Sequence, residues 1–178
     1  MMTDSPGFVR TETLRNGLAV TIRELRDDDR ERIAKAVRQL DRDSVYTRLF
    51  SYRNELTEAG LDRIMKVDPA GDAALVVTVG AGAQEIVIAS GRYMLLGTSA
   101  QQRTAEVAFV VEEDYQGLGI ASRLLRHLAE IGRERGIAAL EADVLGENKS
   151  MLAVFARSGL PMRKRQDGGT VHVTLSLS

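Results

Sequence analysis

The chain has 178 residues, 44% of them hydrophobic, which suits one globular domain with its own core. Its 24 basic and 25 acidic side chains leave a formal charge of −1 without a basic block, so nucleic acid is not an expected partner. The absence of cysteine excludes disulfides, thiolate catalysis and cysteine-ligated zinc, and two histidines argue against a three-histidine metal site. With no long apolar run, we expect a cytoplasmic protein without metal or membrane contact.

Hydrophobic periodicity predicts alternating strands and helices along most of the chain. Residues 1–11 lack a secretory signal pattern and are predicted to be a disordered tail, so that residues 12–178 form a single domain. In chain order the predicted elements are strand 19–25, helices 27–40 and 57–65, strands 73–79 and 86–96 around a turn at 80–84, strand 106–111, helix 119–135, strand 138–145, helix 149–158 and two terminal strands, the last at 171–177.

The stretch 106–125 combines an apolar strand, a turn containing Gly117 and Gly119, and the start of an amphipathic helix. The first N–H groups of a helix have no partner inside it, and the helix dipole leaves partial positive charge there. Glycine allows close approach of a ligand to the backbone, and Ala121 and Ser122 leave the first helical turn uncrowded. The stretch therefore predicts a cradle for an anion, with phosphate as its natural ligand.

Two nucleotide-binding motifs compete for this segment. A phosphate-binding loop needs a lysine after its second glycine, and no lysine lies between Lys66 and Lys149. A dinucleotide-binding turn would use the two glycines, Ser122 in the third glycine position and Asp143 as the acidic residue. That match is weak, and strand patterns precede the segment, which is unusual for a first strand-to-helix turn.

Gln116, Gly119 and Ala121 instead match the pattern Q/R-x-x-G-x-G/A, and the segment resembles the acetyl-CoA motif of the GNAT N-acetyltransferase superfamily. Residues 147–160 are similar to the family's N-x-x-A/M-x-x-x-Y/F-x-x-x-G-F/L stretch. The resemblance implies an α/β (α+β) fold with a mixed, twisted sheet of about seven strands and helices on both faces, in the order βααβββαβαββ. It also implies direct acetyl transfer from acetyl-CoA, as cosubstrate, to an amine.

Residues 14–23, 27–29 and 43–50 resemble the acetyltransferase domain of bacterial Pat-type protein-lysine acetyltransferases. This resemblance implies a primary amine acceptor, with protein lysine slightly favoured over a small-molecule amine. Pat-type proteins usually carry a regulatory domain, and we expect none within these 178 residues. A monomer and a homodimer both remain open. The alternative hypothesis is a noncatalytic acyl-CoA sensor or interaction module that retains the cradle.

By the resemblance, the strand before Gln116 splays from strand 138–145, and the pantetheine arm inserts between the two strands. Backbone groups of residues 109–111 would then hold the pantetheine and thioester, those of residues 116–122 the pyrophosphate, and the Asn148 amide the pantetheine. The implied cosubstrate-binding residues are Phe109, Val110, Val111, Gln116, Gly117, Leu118, Gly119, Ile120, Ala121, Ser122, Asn148 and Phe155.

Phe155 departs from the family pattern, because many members have a tyrosine whose hydroxyl protonates the leaving coenzyme A thiolate. Phenylalanine has no such proton. A thiol pKa of about 8.5 makes the thiolate a tolerable leaving group, so activity need not be lost. The general acid is left open between another donor and water.

Glu106 is the candidate catalytic residue. Strand alternation places it on one face with Ala108 and Val110, and an apolar environment raises the pKa of a carboxyl group toward the range of an efficient general base. The simpler alternative is an exposed glutamate at the beginning of a strand. In the Pat-type domains that this sequence resembles, a glutamate at the corresponding position is the general base, which favours the catalytic interpretation.

Helix 119–135 has an apolar stripe and a polar face. The stripe predicts burial of Ile120, Leu124, Leu125, Leu128 and Ile131. The polar face contains Arg123, Arg126, His127, Glu130 and Arg133. Arg123 is expected either to reach a phosphate of the cosubstrate or to be solvated, and His127 is expected to be a surface residue.

Overall fold

The computed structural model describes residues 7–39, 58–99 and 102–178. Its strands are β1 (Val9–Thr13), β2 (Ala19–Glu24), β3 (Ala73–Val79), β4 (Ile86–Ser99), β5 (Gln102–Val111), β6 (Ala139–Leu145), β7 (Met162–Asp167) and β8 (Thr170–Ser176). Its helices are α1 (Arg30–Gln39), α2 (Glu58–Met65), α3 (Ile120–Glu134) and α4 (Lys149–Ala156). No helix within these ranges is long and apolar enough to cross a bilayer.

The strands form one sheet in the order β1-β2-β3-β4-β5-β6-β8-β7. Neighbouring strands are antiparallel except β5 and β6, which are parallel, so the sheet is mixed as predicted. The order of elements agrees with the sequence prediction apart from one additional strand, β1. Residues 9–11 belong to that strand and pair with residues 21–23, so the predicted tail is too long at its C-terminal end. The strand VRTET lacks an apolar alternation, and backbone pairing holds it in place.

Helices cover both faces of the sheet, which confirms the predicted architecture. On β3, Leu75 and Val77 belong to the larger core beneath α3 and α4. Val76 points to the other face, where it packs with Ile33 of α1 and Leu61 of α2. The pleat of a strand sends successive side chains to opposite faces, so a continuous apolar run such as β3 fits a strand covered on both sides.

Most predicted boundaries differ from the observed ones by a few residues, and the first predicted helix differs for a physical reason. Its opening turn, Asp27–Asp29, is a 3-10 turn. There the buried Asp29 carboxylate accepts two hydrogen bonds, each 2.8 Å long, from the Arg23 guanidinium of β2. This ion pair fastens the start of the α1 segment to the sheet.

Residues 43–50, which contribute to the Pat-type resemblance, lie outside the described residues.

Helix α3 carries the predicted buried stripe. All of its apolar members are buried: Ile120, Leu124, Leu125, Leu128 and Ile131. His127 is buried as well, with 6% of its surface exposed, so the expectation of a surface histidine is wrong. Its Nε2 is hydrogen-bonded to the Glu12 carboxylate of β1, and its ring centroid lies 4.9 Å from that of Phe8. The N-terminal strand and the residues before it cover a helix face that the local sequence pattern marks as polar.

Candidate functional site

Strands β5 and β6 separate partway along their length. Their parallel register consists of Thr104 with Ala139, Ala105 with Leu140, and Glu106 with Glu141. Beyond Glu106, β5 continues to Val111 along β4, while β6 continues along β8. Beyond the last rung, the backbone groups of β5 and β6 that face each other are therefore not paired. This leaves a wedge where an extended ligand can make strand-like hydrogen bonds. This is the splay that the family resemblance implied.

The wedge opens into a cleft with a volume of about 590 Å³. Four of the predicted site residues line it: Glu106, Phe109, Asn148 and Phe155. Phe155 of α4 is 1% exposed, and its ring centroid lies 6.2 Å from that of Phe109 in a tilted arrangement. The two rings provide an apolar wall on the α4 side. No other predicted site residue lines this cleft. Val111 is buried, and the Val110 side chain lines a separate groove of about 320 Å³ between the sheet and helices α1 and α2.

The predicted cradle lies at the N-terminus of α3. Gly117 and Gly119 have φ angles of 79° and 85°, in the left-handed region that favours glycine. Gly119 is the N-cap residue, and no side chain caps the helix at this end. The bond from Arg123 N to Gly119 O, 3.2 Å long, is the first helical hydrogen bond, so the N–H groups of residues 120–122 have no acceptor inside the helix. These features are typical of a main-chain anion site.

Most side chains of the remaining cradle residues contact the protein itself. Gln116 Nε2 donates to Val111 O at 3.2 Å, which ties the turn to the end of β5. Ile120 is 2% exposed within the core, so only its main chain can meet a ligand. Leu118 and Ala121 are half-buried against the same core, whereas Ser122 is exposed. The geometry thus agrees with recognition by backbone groups in this segment.

Arg123 has neither of its two expected positions. Its Nη1 donates to Leu118 O at 3.2 Å and to Gly119 O at 3.1 Å, and its Nη2 donates to Thr13 O at 3.1 Å. Its Nε lies 3.4 Å from a carboxylate oxygen of Glu12. Arg123 therefore binds protein oxygen atoms around the turn and connects the turn to β1. Sequence reasoning missed this arrangement because it did not predict β1.

Glu106 is half-buried on the last rung shared by β5 and β6. The burial pattern confirms that it shares a face with Ala108, because Val107 and Phe109 are the buried residues of the opposite face. Neighbouring positions in a parallel register also share a face, so Glu141 of β6 is on the Glu106 side. The predicted base therefore stands at the point where the sheet opens.

His172 of β8 also lines the cleft, and sequence reasoning gave it no role. Its Nδ1 is hydrogen-bonded to Asp143 Oδ1 at 2.7 Å, and its Nε2 to Glu141 Oε1 at 3.0 Å. Hydrogen bonds to Asp143 and Glu141 raise the pKa of His172 above its usual value, because both carboxylates stabilise the imidazolium. The alternation of residues 171–177 indicates a strand, but the pairing that brings His172 opposite Asp143 depends on a non-local register.

Asn148 caps the helix that forms the other wall of the cleft. Its Oδ1 accepts a hydrogen bond from Met151 N at 3.3 Å, at the start of α4. Asparagine is among the preferred N-cap residues for this reason. Because the amide oxygen is engaged and Asn148 lines the cleft, the amide nitrogen is the group that can donate to a ligand there.

The model of the Acetyltransferase (GNAT) family matches residues 35–160. The chain belongs to the GNAT acetyltransferase family. It is 30% identical over 162 residues to Acetyltransferase PA5475 of Pseudomonas aeruginosa, covering 89% of this chain and 84% of that protein. It is 34% identical over 158 residues to Acetyltransferase Pat of Mycolicibacterium smegmatis, covering 89% of this chain.

The GNAT domain of S. lividans PAT has a crystal structure similar to this one, with a TM-score of 0.84 and 32% identity. That match covers 94% of this chain and 96% of the S. lividans chain, and it confirms the GNAT fold and the resemblance to Pat proteins. The chain spans only 46% of the length of the M. smegmatis Pat protein. Family membership identifies an acyltransferase, and GNAT proteins use acetyl-CoA as cosubstrate.

Proposed function

We propose that this protein transfers an acetyl group directly from acetyl-CoA to a primary amine, with protein lysine favoured over a small-molecule acceptor. The observation that carries the proposal is the position of Glu106, on the last rung before β5 and β6 part and inside the cleft that the wedge forms. Similarity to Acetyltransferase Pat favours lysine, the acceptor implied by the sequence resemblance.

In this proposal the pantetheine arm occupies the wedge as an additional strand between β5 and β6. Backbone groups of residues 109–111 would hold it on one side, apart from Val111 O, which accepts from Gln116, and the Asn148 amide nitrogen would donate to it from α4. The pyrophosphate would bind the free N–H groups at the start of α3, where the helix dipole favours negative charge. The arm and the pyrophosphate would thus bind contiguous parts of one surface.

The reaction requires a base, because an amine with a pKa of about 10.4 is almost fully protonated at pH 7. Glu106 would accept a proton from the amine, directly or through one water molecule. The amine nitrogen then attacks the thioester carbonyl, so a C–N bond forms and the C–S bond breaks. The Phe155 ring cannot protonate the departing thiolate, which water or another donor in the cleft must do.

Exchange of Glu106 for glutamine tests the proposal. Glu106→Gln is close to isosteric, so acetyl-CoA affinity should stay near wild type, while turnover should fall about 10²- to 10⁴-fold, the usual contribution of a general base. The matched control is Glu134→Gln, which removes an exposed carboxylate at the end of α3 and should leave both quantities unchanged. Wild-type turnover in Glu106→Gln would mean that the base lies elsewhere.

The acceptor requires a separate experiment. Incubation of a lysate with isotope-labelled acetyl-CoA, followed by mass spectrometry, should reveal labelled lysine side chains that are absent with Glu106→Gln. Release of free coenzyme A with a panel of small amines tests the other acceptor class. Binding of acetyl-CoA without coenzyme A release in either experiment would favour the noncatalytic sensor instead.

A further inference from the structure

Two arginines border the glycine turn, and their hydrogen bonds differ. The Arg123 guanidinium donates to the carbonyl oxygens of Leu118 and Gly119 and faces Glu12. In a trans peptide the C=O and the N–H of the same unit point in opposite directions. By holding those two carbonyls on its own side, Arg123 turns the N–H groups of residues 119 and 120 away from itself. Its donors are thereby used in shaping the cradle.

Arg15 differs from Arg123 in its hydrogen bonding. It lies in the turn between β1 and β2, it is exposed, and within residues 7–39, 58–99 and 102–178 its guanidinium makes no hydrogen bond or ion pair. Its Nε and Cζ lie 3.7 and 3.8 Å from the position that a Cβ on Gly119 would occupy. A guanidinium with unused donors therefore stands beside the residue that caps α3.

The turn that carries Arg15 is well anchored. Leu14, immediately before it, is 3% exposed in the main core. Hydrogen bonds from Leu14 N to Leu18 O at 2.8 Å and from Gly17 N to Leu14 O at 2.9 Å close the turn. The Asn16 side chain accepts a further bond from Leu18 N at 3.1 Å. The backbone of Arg15 is thus fixed, so that ordering its side chain against a ligand costs mainly side-chain entropy.

A carboxylate on the same strand, that of Glu12, already has several partners. Glu12 accepts hydrogen bonds from Arg126 and His127 and faces Arg123. The Glu12 charge is thus already shared among three other side chains, and in the described part of the chain Glu12 makes no hydrogen bond to Arg15. A guanidinium binds phosphate oxygens in a bidentate manner, which makes a phosphate ester next to the free N–H groups of α3 the matching ligand.

We propose that Arg15 binds the pyrophosphate of acetyl-CoA, while Arg123 acts as a positioning residue that orients the cradle. The inference rests on the proposed function, since it concerns the cosubstrate of that site. It assigns the side-chain positive charge of the site to the β1–β2 turn and not to α3. A Cβ on Gly119 would lie 3.7 Å from Arg15 Nε and 2.6 Å from Arg123 Nη1, so both guanidinium groups lie beside this residue.

Isothermal calorimetry with three ligands tests the assignment. Arg15→Ala should raise the Kd for acetyl-CoA about tenfold, in the range of one lost charge-assisted hydrogen bond, and Arg15→Lys should raise it less. The same increase is expected for 3′-dephospho-acetyl-CoA, which keeps the pyrophosphate, and none for acetyl-pantetheine, which lacks it. Arg10→Ala is the control, because it removes the same charge from an exposed position on β1 and should bind acetyl-CoA like wild type. Kinetically, KM for acetyl-CoA should rise while kcat is unchanged.

Three results would overturn the inference. They are wild-type acetyl-CoA affinity in Arg15→Ala, a loss that disappears with the 3′-dephospho ligand, and an equal loss with acetyl-pantetheine. The second would place Arg15 on the 3′-phosphate, and the third would indicate a general disturbance of the turn. Failure of the wild-type protein to bind acetyl-CoA would instead contradict the proposed function, which keeps the two failures distinct.

Discussion

Substitution of the two glycines of the cradle by alanine should separate backbone strain from loss of the Arg123 contacts. Both have positive φ angles, 79° at Gly117 and 85° at Gly119, so a Cβ costs about 1 to 2 kcal/mol at either position. At Gly117 that Cβ would meet nothing within 4 Å. At Gly119 it would lie 2.6 Å from Arg123 Nη1, which must move.

The free-energy cost of displacing the Arg123 guanidinium follows from its hydrogen bonds. A guanidinium nitrogen at the end of a flexible side chain is displaced easily, but here it donates to Leu118 O and Gly119 O. Each lost hydrogen bond contributes about 0.5 to 1.5 kcal/mol. We therefore expect Gly119→Ala to reduce the free energy of unfolding by about 2 to 5 kcal/mol, compared with about 1 to 2 kcal/mol for Gly117→Ala. Acetyl-CoA affinity should fall further in Gly119→Ala, because the Leu118 carbonyl loses its Arg123 partner, whereas Gly119 O keeps its helical bond from Arg123 N.

These effects can be measured by urea unfolding and calorimetry on four variants: the two glycine variants, Arg123→Ala and the double variant Gly119→Ala/Arg123→Ala. Because Gly119→Ala already displaces the guanidinium, the double variant should lose less than the sum of the single losses. Equal destabilisation by the two glycine substitutions, together with additive losses in the double variant, would refute the idea that Arg123 shapes the turn.

Two other predictions concern the walls of the cleft. Asn148→Ala should weaken acetyl-CoA binding by about 1 to 3 kcal/mol and reduce stability by about 1 kcal/mol, whereas Asn148→Asp should keep the cap to Met151 N and lose only affinity. Equal stability losses in the two variants, measured by thermal unfolding, would argue against the cap. Since the folded-state pKa of His172 is raised, its pairs with Asp143 and Glu141 stabilise the fold below the unfolded pKa of about 6.5, and this contribution disappears as pH rises through the folded pKa. His172→Gln should accordingly destabilise the protein at pH 5 and much less at pH 9 in urea unfolding, and a pH-independent difference would contradict this.

The parts of the structure that the sequence predicts well depend on local patterns. The apolar stripe of α3 predicts its burial, and the positions of Gly117 and Gly119 predict the turn, because both follow from spacing within one element. The alternation around Glu106 likewise predicts which face of β5 it occupies. Periodicity and backbone conformation are local properties, so a single sequence is sufficient to infer them.

The parts that were missed depend on contacts between distant segments. Strand β1 has no apolar alternation, and without it neither the burial of His127 against Glu12 nor the binding of Arg123 to Thr13 O can be foreseen. Arg15 beside Gly119 has the same origin. These contacts join residues more than a hundred positions apart, so no periodicity within one element encodes them.

The parting of β5 and β6 divides the sheet into two unequal parts. Five strands lie on one side and three on the other, and in the described chain three rungs at residues 104–106 and 139–141 connect them edge to edge. Beyond these rungs β5 pairs only with β4 and β6 only with β8. A cosubstrate lying in the gap would therefore connect the five-strand part to the three-strand part, so that ligand and protein together form one continuous sheet.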